Sequence, residues 1–221
     1  MRKDIAARAA FIRAHTEILP VPSLPDIRLY QASEVTGLWQ MTAAELAQQA
    51  VPPPFWAFAW AGGQGLGRYV QDHPETVRGR HVLDLASGSG LVGIVAARCG
   101  AKTVVANDID PFAEAACGLN AALNGVTLRF DGADRLSGEV PDVEVILAGD
   151  IFYEQGMSTA MLGFLRRAQA QGVTVFFGDP QRSYLPREGL RRVAQYDIAT
   201  QTAIEDRPHK TVSIWGLAPD A

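Results

Sequence analysis

From His81 onward, short apolar runs alternate with longer stretches of helical periodicity, the signature of repeated strand–helix units. The predicted strands are His81–Leu85, Thr103–Ala106, Val126–Phe130, Val143–Ala148, Val173–Gly178, Val193–Ala203 and Thr211–Gly216. Between the second and third, Asp110-Pro111 offers a capping side chain and a first-turn proline, and Asn124-Gly125 offers a stop. Together they predict a helix from Pro111 to Leu123. Successive strand–helix units imply a parallel sheet covered by helices on both faces. The last two strands are close in sequence, around Asp206-Arg207-Pro208, so they are expected to pair antiparallel as a hairpin. The expected fold is α/β, a doubly wound, seven-stranded, mostly parallel sheet with an antiparallel terminal hairpin.

Upstream the pattern differs, and residues 1–52 are expected to form an N-terminal helical and hairpin extension on a core domain of residues 53–221. Met1–Ile18 is rich in Arg and Ala, as a transit peptide would be. Asp4, Glu17 and the stripe Ile5, Ala9, Ile12 instead favour an ordinary first helix packed on the domain. Pro20, Pro22, Pro25 and Pro52-Pro53-Pro54 punctuate the entry segment of residues 19–54. Within it, Ile27–Ala32 and Gly37–Met41 are expected to pair as short strands. Thr42-Ala43-Ala44-Glu45 has the capping-box spacing of a helix start.

Composition narrows the function classes. With 221 residues, 48% of them apolar, the chain is long enough for one domain with a full core. A formal charge of −4 argues against a general nucleic-acid binder. No run approaches the ~18 apolar residues of a membrane span. Cys99 and Cys117 lack local partners and read as buried thiols, which suits a reducing cytoplasm, or a mitochondrial matrix if the source is eukaryotic. The four histidines show no ligand spacing, so no metal site is expected.

The chemistry concentrates in Val82-Leu83-Asp84-Leu85-Ala86-Ser87-Gly88-Ser89-Gly90-Leu91-Val92-Gly93. An apolar strand with an acid near its end opens into a small-residue loop and then a helix. Backbone N–H groups can close there on a nucleotide-like ligand without side-chain obstruction. Gly88-x-Gly90-x-x-Gly93 matches the dinucleotide fingerprint, a weak signal alone. Asp84 and Ser87 stand where an NAD-binding turn would run straight into glycine. A carboxylate there repels a pyrophosphate but suits the amino group of a methionyl moiety, which favours S-adenosylmethionine over a nicotinamide. Asp108, ending the second strand, is placed to accept from a ribose diol, with adenine lying against Ile109. Trp56, Phe58 and Trp60 precede Gly62-Gly63, and Trp60 is the best candidate for an aromatic wall beside a sulfonium. Asp150-Ile151-Phe152-Tyr153 follows the fourth strand, at the edge where ligands of open α/β sheets bind.

Asp84-x-Ala86-x-Gly88-x-Gly90 resembles the first motif of class I, seven-strand, Rossmann-like methyltransferases, with Ala86 at the usual first glycine. More specifically, the chain resembles the electron transfer flavoprotein β-subunit lysine methyltransferases. The likeness runs through residues 53–64, the glycine loop, Ala106–Pro111, Gly149–Tyr153, Gly178-Asp179-Pro180 and Ser213–Gly216. It implies a protein-lysine N-methyltransferase that uses S-adenosylmethionine, releases S-adenosylhomocysteine and acts on the flavoprotein β subunit. It also implies that Asp150 and Tyr153 lie between cofactor and incoming lysine, as catalytic residues. Asp179-Pro180, after the fifth strand, is expected either to shape the acceptor channel or to make a purely structural turn. The expected cofactor contacts are Trp60, Asp84, Ser87, Gly88, Gly90, Asp108, Ile109 and Asp150; no nucleic acid or membrane partner is expected. The alternatives are another protein, such as a ribosomal protein, a small amine, or an NAD-binding Rossmann protein.

Overall fold

From residue 81 strand and helix alternate as the apolar pattern requires, except that residues 132–144 hold no helix and no helix follows residue 170 among the described residues. The computed structural model describes residues 2–33, 36, 38, 52–200 and 207–219. The first elements are helix α1 (Arg2–His15), strands β1 (Glu17–Val21) and β2 (Leu24–Gln31), and helix α2 (Ala61–Asp72). The alternating core follows as β3 (His81–Leu85), α3 (Leu91–Arg98), β4 (Thr103–Asn107), α4 (Pro111–Leu123), β5 (Arg129–Asp131), β6 (Val145–Gly149), α5 (Gln155–Ala170) and β7 (Thr174–Asp179). Strands β8 (Leu190–Ala199) and β9 (His209–Leu217) close the sheet. No helix among the described residues is long and apolar enough to cross a membrane.

The seven-stranded sheet has the order β5-β4-β3-β6-β7-β9-β8. Strands β3 to β7 pair parallel, and β9 runs antiparallel to both β7 and β8. The reversal expected from the terminal hairpin is thus confined to β9, one strand in from the edge. The strand order turns back between β3 and β6, so the loops after both strands open onto one crevice at their carboxyl ends.

Alternate residues face opposite layers, as the two-residue period of a strand demands. Val82, Val104, Val145 and Leu147 pack under α2 and α3 with Leu66, Val70, Ile94 and Val95. Leu83, Leu85, Ile146 and Phe177 pack on the other face against Met161, Phe164 and Leu165 of α5. Helix α4 has the predicted bounds: Asp110 Oδ1 accepts from Phe112 N–H at 2.8 Å, and Gly125 follows at φ 67. Strand β5 starts later than expected, because Val126 N–H still bonds to Ala121 of α4 and Val126 and Leu128 pack into the core beside the ladder.

The expected pairing within residues 27–41 is corrected. Strand β2 pairs antiparallel with β1, which lies before it. Pro20 sits inside β1 at a register shift, where its missing N–H breaks no ladder. Most of Gly37–Met41, all of Thr42–Glu45 and residues 201–206 lie outside the described residues. The free edge of β2 is covered by helix α4. Asn120 Oδ1 accepts from Tyr30 N–H at 2.8 Å, and Asn124 both accepts from Arg28 N–H (3.1 Å) and donates to Arg28 O (2.6 Å). Two amides one helical turn apart stand in for a neighbouring strand. Ile12 of α1 is fully buried with Trp56, Phe112 and Ala116, as the helical stripe foretold.

Candidate functional site

Four glycines decide where the site lies. Helix α2 begins directly on the ends of β6 and β7. A Cβ on Gly62 would stand 2.5 Å from Asp150 Oδ2, and one on Gly149 would stand 2.7 Å from Gly63 Cα. Gly178 is just as crowded, against the Gly62 carbonyl. The Gly62-Gly63 pair therefore allows backbone to lie on backbone at the sheet edge. The close approach the sequence suggested is made to β6 and β7. It brings the N-terminus of α2 onto the carboxylate after β6: Gly63 N–H donates to Asp150 Oδ2 at 3.0 Å.

The glycine loop after β3 folds by two left-handed glycines, Gly88 at φ 50 and Gly90 at φ 78, and one left-handed alanine, Ala86 at φ 53. The last is the position where the family motif has glycine. Asp84 is 1% exposed beneath this loop, and its Oδ2 accepts from Gly93 N–H of α3 at 2.8 Å. Burial pushes its carboxyl up to about 8, against the opposing pull of that N–H bond. Ser87 lies with its Oγ 3.6 Å from Cys117 Sγ, and its carbonyl accepts from Gly90 N–H at 2.8 Å. Cys117 is buried and its thiol is pushed up by desolvation, whereas Cys99 is half-buried at the end of α3.

Asp108 follows β4 and faces the same loop. One oxygen accepts from Gly88 N–H at 2.8 Å, the other from Asp110 N–H at 2.9 Å. Burial raises its carboxyl above the usual range, opposed by these backbone bonds. Ile109 beside it is 73% exposed, an apolar side chain at the mouth of the crevice. Of the two acids at the end of β5 and just beyond it, Asp131 is paired to Arg135 at 2.6 Å and Asp134 accepts from Leu136 N–H.

The aromatic segment divides its labour. Trp56 is buried and stacks on Phe112, so it belongs to the core. Trp60 caps the start of α2, and its Nε1–H donates to Phe55 O at 2.9 Å. Phe55 lies against Tyr153, with ring centroids 5.4 Å apart. Tyr153 is 44% exposed, its hydroxyl raised by desolvation and by Glu154 and Asp108.

Asp150 is nearly buried and held at φ 55, and its backbone N–H bonds to Gly178 O at 3.0 Å. Its Oδ1 accepts from both Nε (3.0 Å) and Nη2 (2.6 Å) of Arg182. The same guanidinium lies 5.6 Å from the Trp60 ring centroid. Asp179, fully buried, caps the turn that presents Arg182, its Oδ1 accepting from Arg182 N–H at 2.7 Å. Its carboxyl is pushed up to about 6 by burial. Arg182 was missed in the sequence, although a strand-end acid three residues before an arginine was its available signal. Asn120 was missed too: its Nδ2 donates to Ser89 O of the glycine loop at 2.8 Å, while its Oδ1 holds Tyr30.

The whole set, after β3, β4, β6 and β7 and at the start of α2, gathers at one edge of the sheet. Comparison with known proteins points the same way. Residues 69–152 match the family model of ribosomal protein L11 methyltransferase. The electron transfer flavoprotein β-subunit lysine methyltransferase of Xenopus laevis is 35% identical, covering 99% of this chain and 90% of its own length. The Homo sapiens protein of the same name is 33% identical over 95% and 82%. Among solved structures, a Pyrococcus abyssi tRNA (uracil-54, C5)-methyltransferase in complex with S-adenosyl-L-homocysteine superposes with a TM-score of 0.51. It is 18% identical, covering 68% of this chain and 37% of that one, and so speaks for the fold alone.

Proposed function

The chain belongs to the electron transfer flavoprotein β-subunit lysine methyltransferase family, and we propose that it methylates one or more lysines of that flavoprotein subunit. The observation that carries this reading is the span of the similarity, 99% of the chain. The ribosomal protein L11 methyltransferase model, by contrast, matches only residues 69–152 and stops before Asp179 and Arg182.

The residues suit S-adenosylmethionine. Asp108 keeps lone pairs for a ribose diol beyond those that accept the Gly88 and Asp110 N–H groups. Ile109 offers an open apolar surface to the base. Ser87, Gly88 and Gly90 shape the loop, and the buried Asp84 beneath it would gain from a ligand ammonium. When bound, the cofactor supplies a methyl carbon made electrophilic by its sulfonium, and S-adenosylhomocysteine is left. Trp60 walls that side of the crevice. Asp150 and Tyr153 face the acceptor and orient its amine.

No strong acid is needed for such a transfer; the obstacle is the nucleophile. A lysine of pKa ~10.4 costs about 4.6 kcal/mol to deprotonate at pH 7. Desolvation by Phe55, Trp60 and Tyr153 lowers that pKa, and proximity supplies much of the rate. Incubation with methyl-labelled cofactor and a cell extract tests the reading. One labelled band at the size of the flavoprotein β subunit is expected; a band elsewhere, counts only in small molecules, or no label would overturn it. Asp150→Asn and Tyr153→Phe are each expected to cut turnover by tenfold or more with cofactor affinity little changed for Tyr153→Phe.

A further inference from the structure

We propose that Arg182 is a positioning residue for the transfer, clamping and neutralising Asp150 so that the acceptor lysine is not held in its charged, unreactive form. This rests on the reading that Asp150 faces the acceptor amine. A bare carboxylate beside an amine has two opposed effects: it orients the N–H groups, and it holds the proton on them, raising an ammonium pKa by about 1–3 units. Here Asp150 is not bare. Arg182 places two N–H donors on Oδ1, and the start of α2 places Gly63 N–H on Oδ2.

The fold is built to deliver that guanidinium. Pro180 fixes the chain after β7, Gln181 takes φ 67, and buried Asp179 accepts the Arg182 N–H at 2.7 Å. The guanidinium carbon also lies over the Trp60 ring, 5.6 Å from its centroid. Among the described residues, Asp179 from β7 feels the charges of both Asp150 and Arg182, and Tyr153 after β6 feels those of Glu154 and Asp108; Trp60, Gly62 and Gly63 at the start of α2 carry no ionisable group. In the reaction the lysine first loses one proton to solvent. Its lone pair then forms the N–C bond as the C–S bond breaks, and the methylated ammonium releases a further proton. Neutralising Asp150 eases the first of these steps.

Single-turnover rates from pH 6.5 to 9.5 test this, with purified flavoprotein β subunit and labelled cofactor. Arg182→Gln is expected to move the acid limb of the profile about one unit toward alkaline pH. That is a loss of about tenfold at pH 7 that vanishes near pH 9.5. Calorimetric affinity for S-adenosylhomocysteine should stay within about twofold of the wild type. Arg182→Lys, which keeps the charge, should restore the wild-type midpoint. Should Arg182→Gln not fold, Arg182→Met gives the same readout. A loss equal at all pH values, an unshifted profile, or a shift in Arg182→Lys as large as in Arg182→Gln would overturn the proposal. A wild-type protein that binds S-adenosylhomocysteine but methylates no flavoprotein lysine overturns the substrate reading itself, and this proposal with it. An active wild type with unshifted variants removes the Arg182 role alone.

Discussion

Among the described residues, three that are not glycine take left-handed backbone conformations, Ala86, Asp150 and Gln181, and they stand just after β3, β6 and β7. Strain of this kind gathers where a side chain must point somewhere the relaxed chain would not aim it. At Ala86 the Cβ gains nothing visible in return, since the side chain is exposed. An L-residue in that region costs about 1–2 kcal/mol, against about 0.5–1 kcal/mol for the extra freedom of glycine when unfolded. Ala86→Gly is therefore expected to stabilise by about 0.5–1 kcal/mol, read as a higher urea midpoint. At Asp84 the consequence is a pH dependence. Its carboxyl is protonated in both states below pH about 4; up to about pH 8 only the unfolded chain releases the proton, so stability falls as pH rises and is flat above. Asp110 and Asp179, pushed to about 6, add to the slope at lower pH, which makes pH 6 to 8 the decisive range. Asp84→Asn should flatten the urea midpoint there; an unchanged slope would exclude Asp84 as its source. The glycine loop and Asp108 were legible because their signals are local. Arg182 was not, because the partner that gives it meaning lies 32 residues away in the chain.

At the scale of elements, the crossing of α2 over the ends of β6 and β7 sets the site, and the two glycines at its start differ sharply. Gly62→Ala would drive a methyl into Asp150 Oδ2 and the Gly178 carbonyl. It should cost about 3 kcal/mol in urea unfolding and abolish methyl transfer. The nearest atom to a Cβ on Gly63 is Val92 Cγ2 at 3.8 Å, so Gly63→Ala should be neutral or gain about 0.5 kcal/mol. Equal losses for both would mean that the helix start is not wedged as described. Helix α4 could be read to its ends because Asp110-Pro111 and Asn124-Gly125 carry both stops within the chain itself. The β1–β2 hairpin could not, since Pro20 reads as a breaker unless the edge position of its strand is known.

Across the whole molecule, the N-terminal elements share the core of the sheet. Val21, Leu24, Ile27 and Leu29 are buried with Val82, Ile94 and Val212. Gln64 ties the hairpin turn to the aromatic segment, accepting from Ser23 N–H at 3.1 Å and donating to Ala59 O at 2.7 Å. Asn120→Ala would leave Tyr30 N–H and Ser89 C=O without their partner, at about 2 kcal/mol or more. Faster amide exchange at Tyr30 and weaker S-adenosylhomocysteine binding are expected together; a change in one without the other would show that Asn120 does not join them.

That shared amide has a thermodynamic corollary. Whatever grips Ser89 more firmly also makes Asn120 a steadier anchor for the first strands, and the coupling must run equally in both directions. A protease acting near the N-terminus would then serve as a gauge of an occupied nucleoside pocket, cutting more slowly as ligand is added.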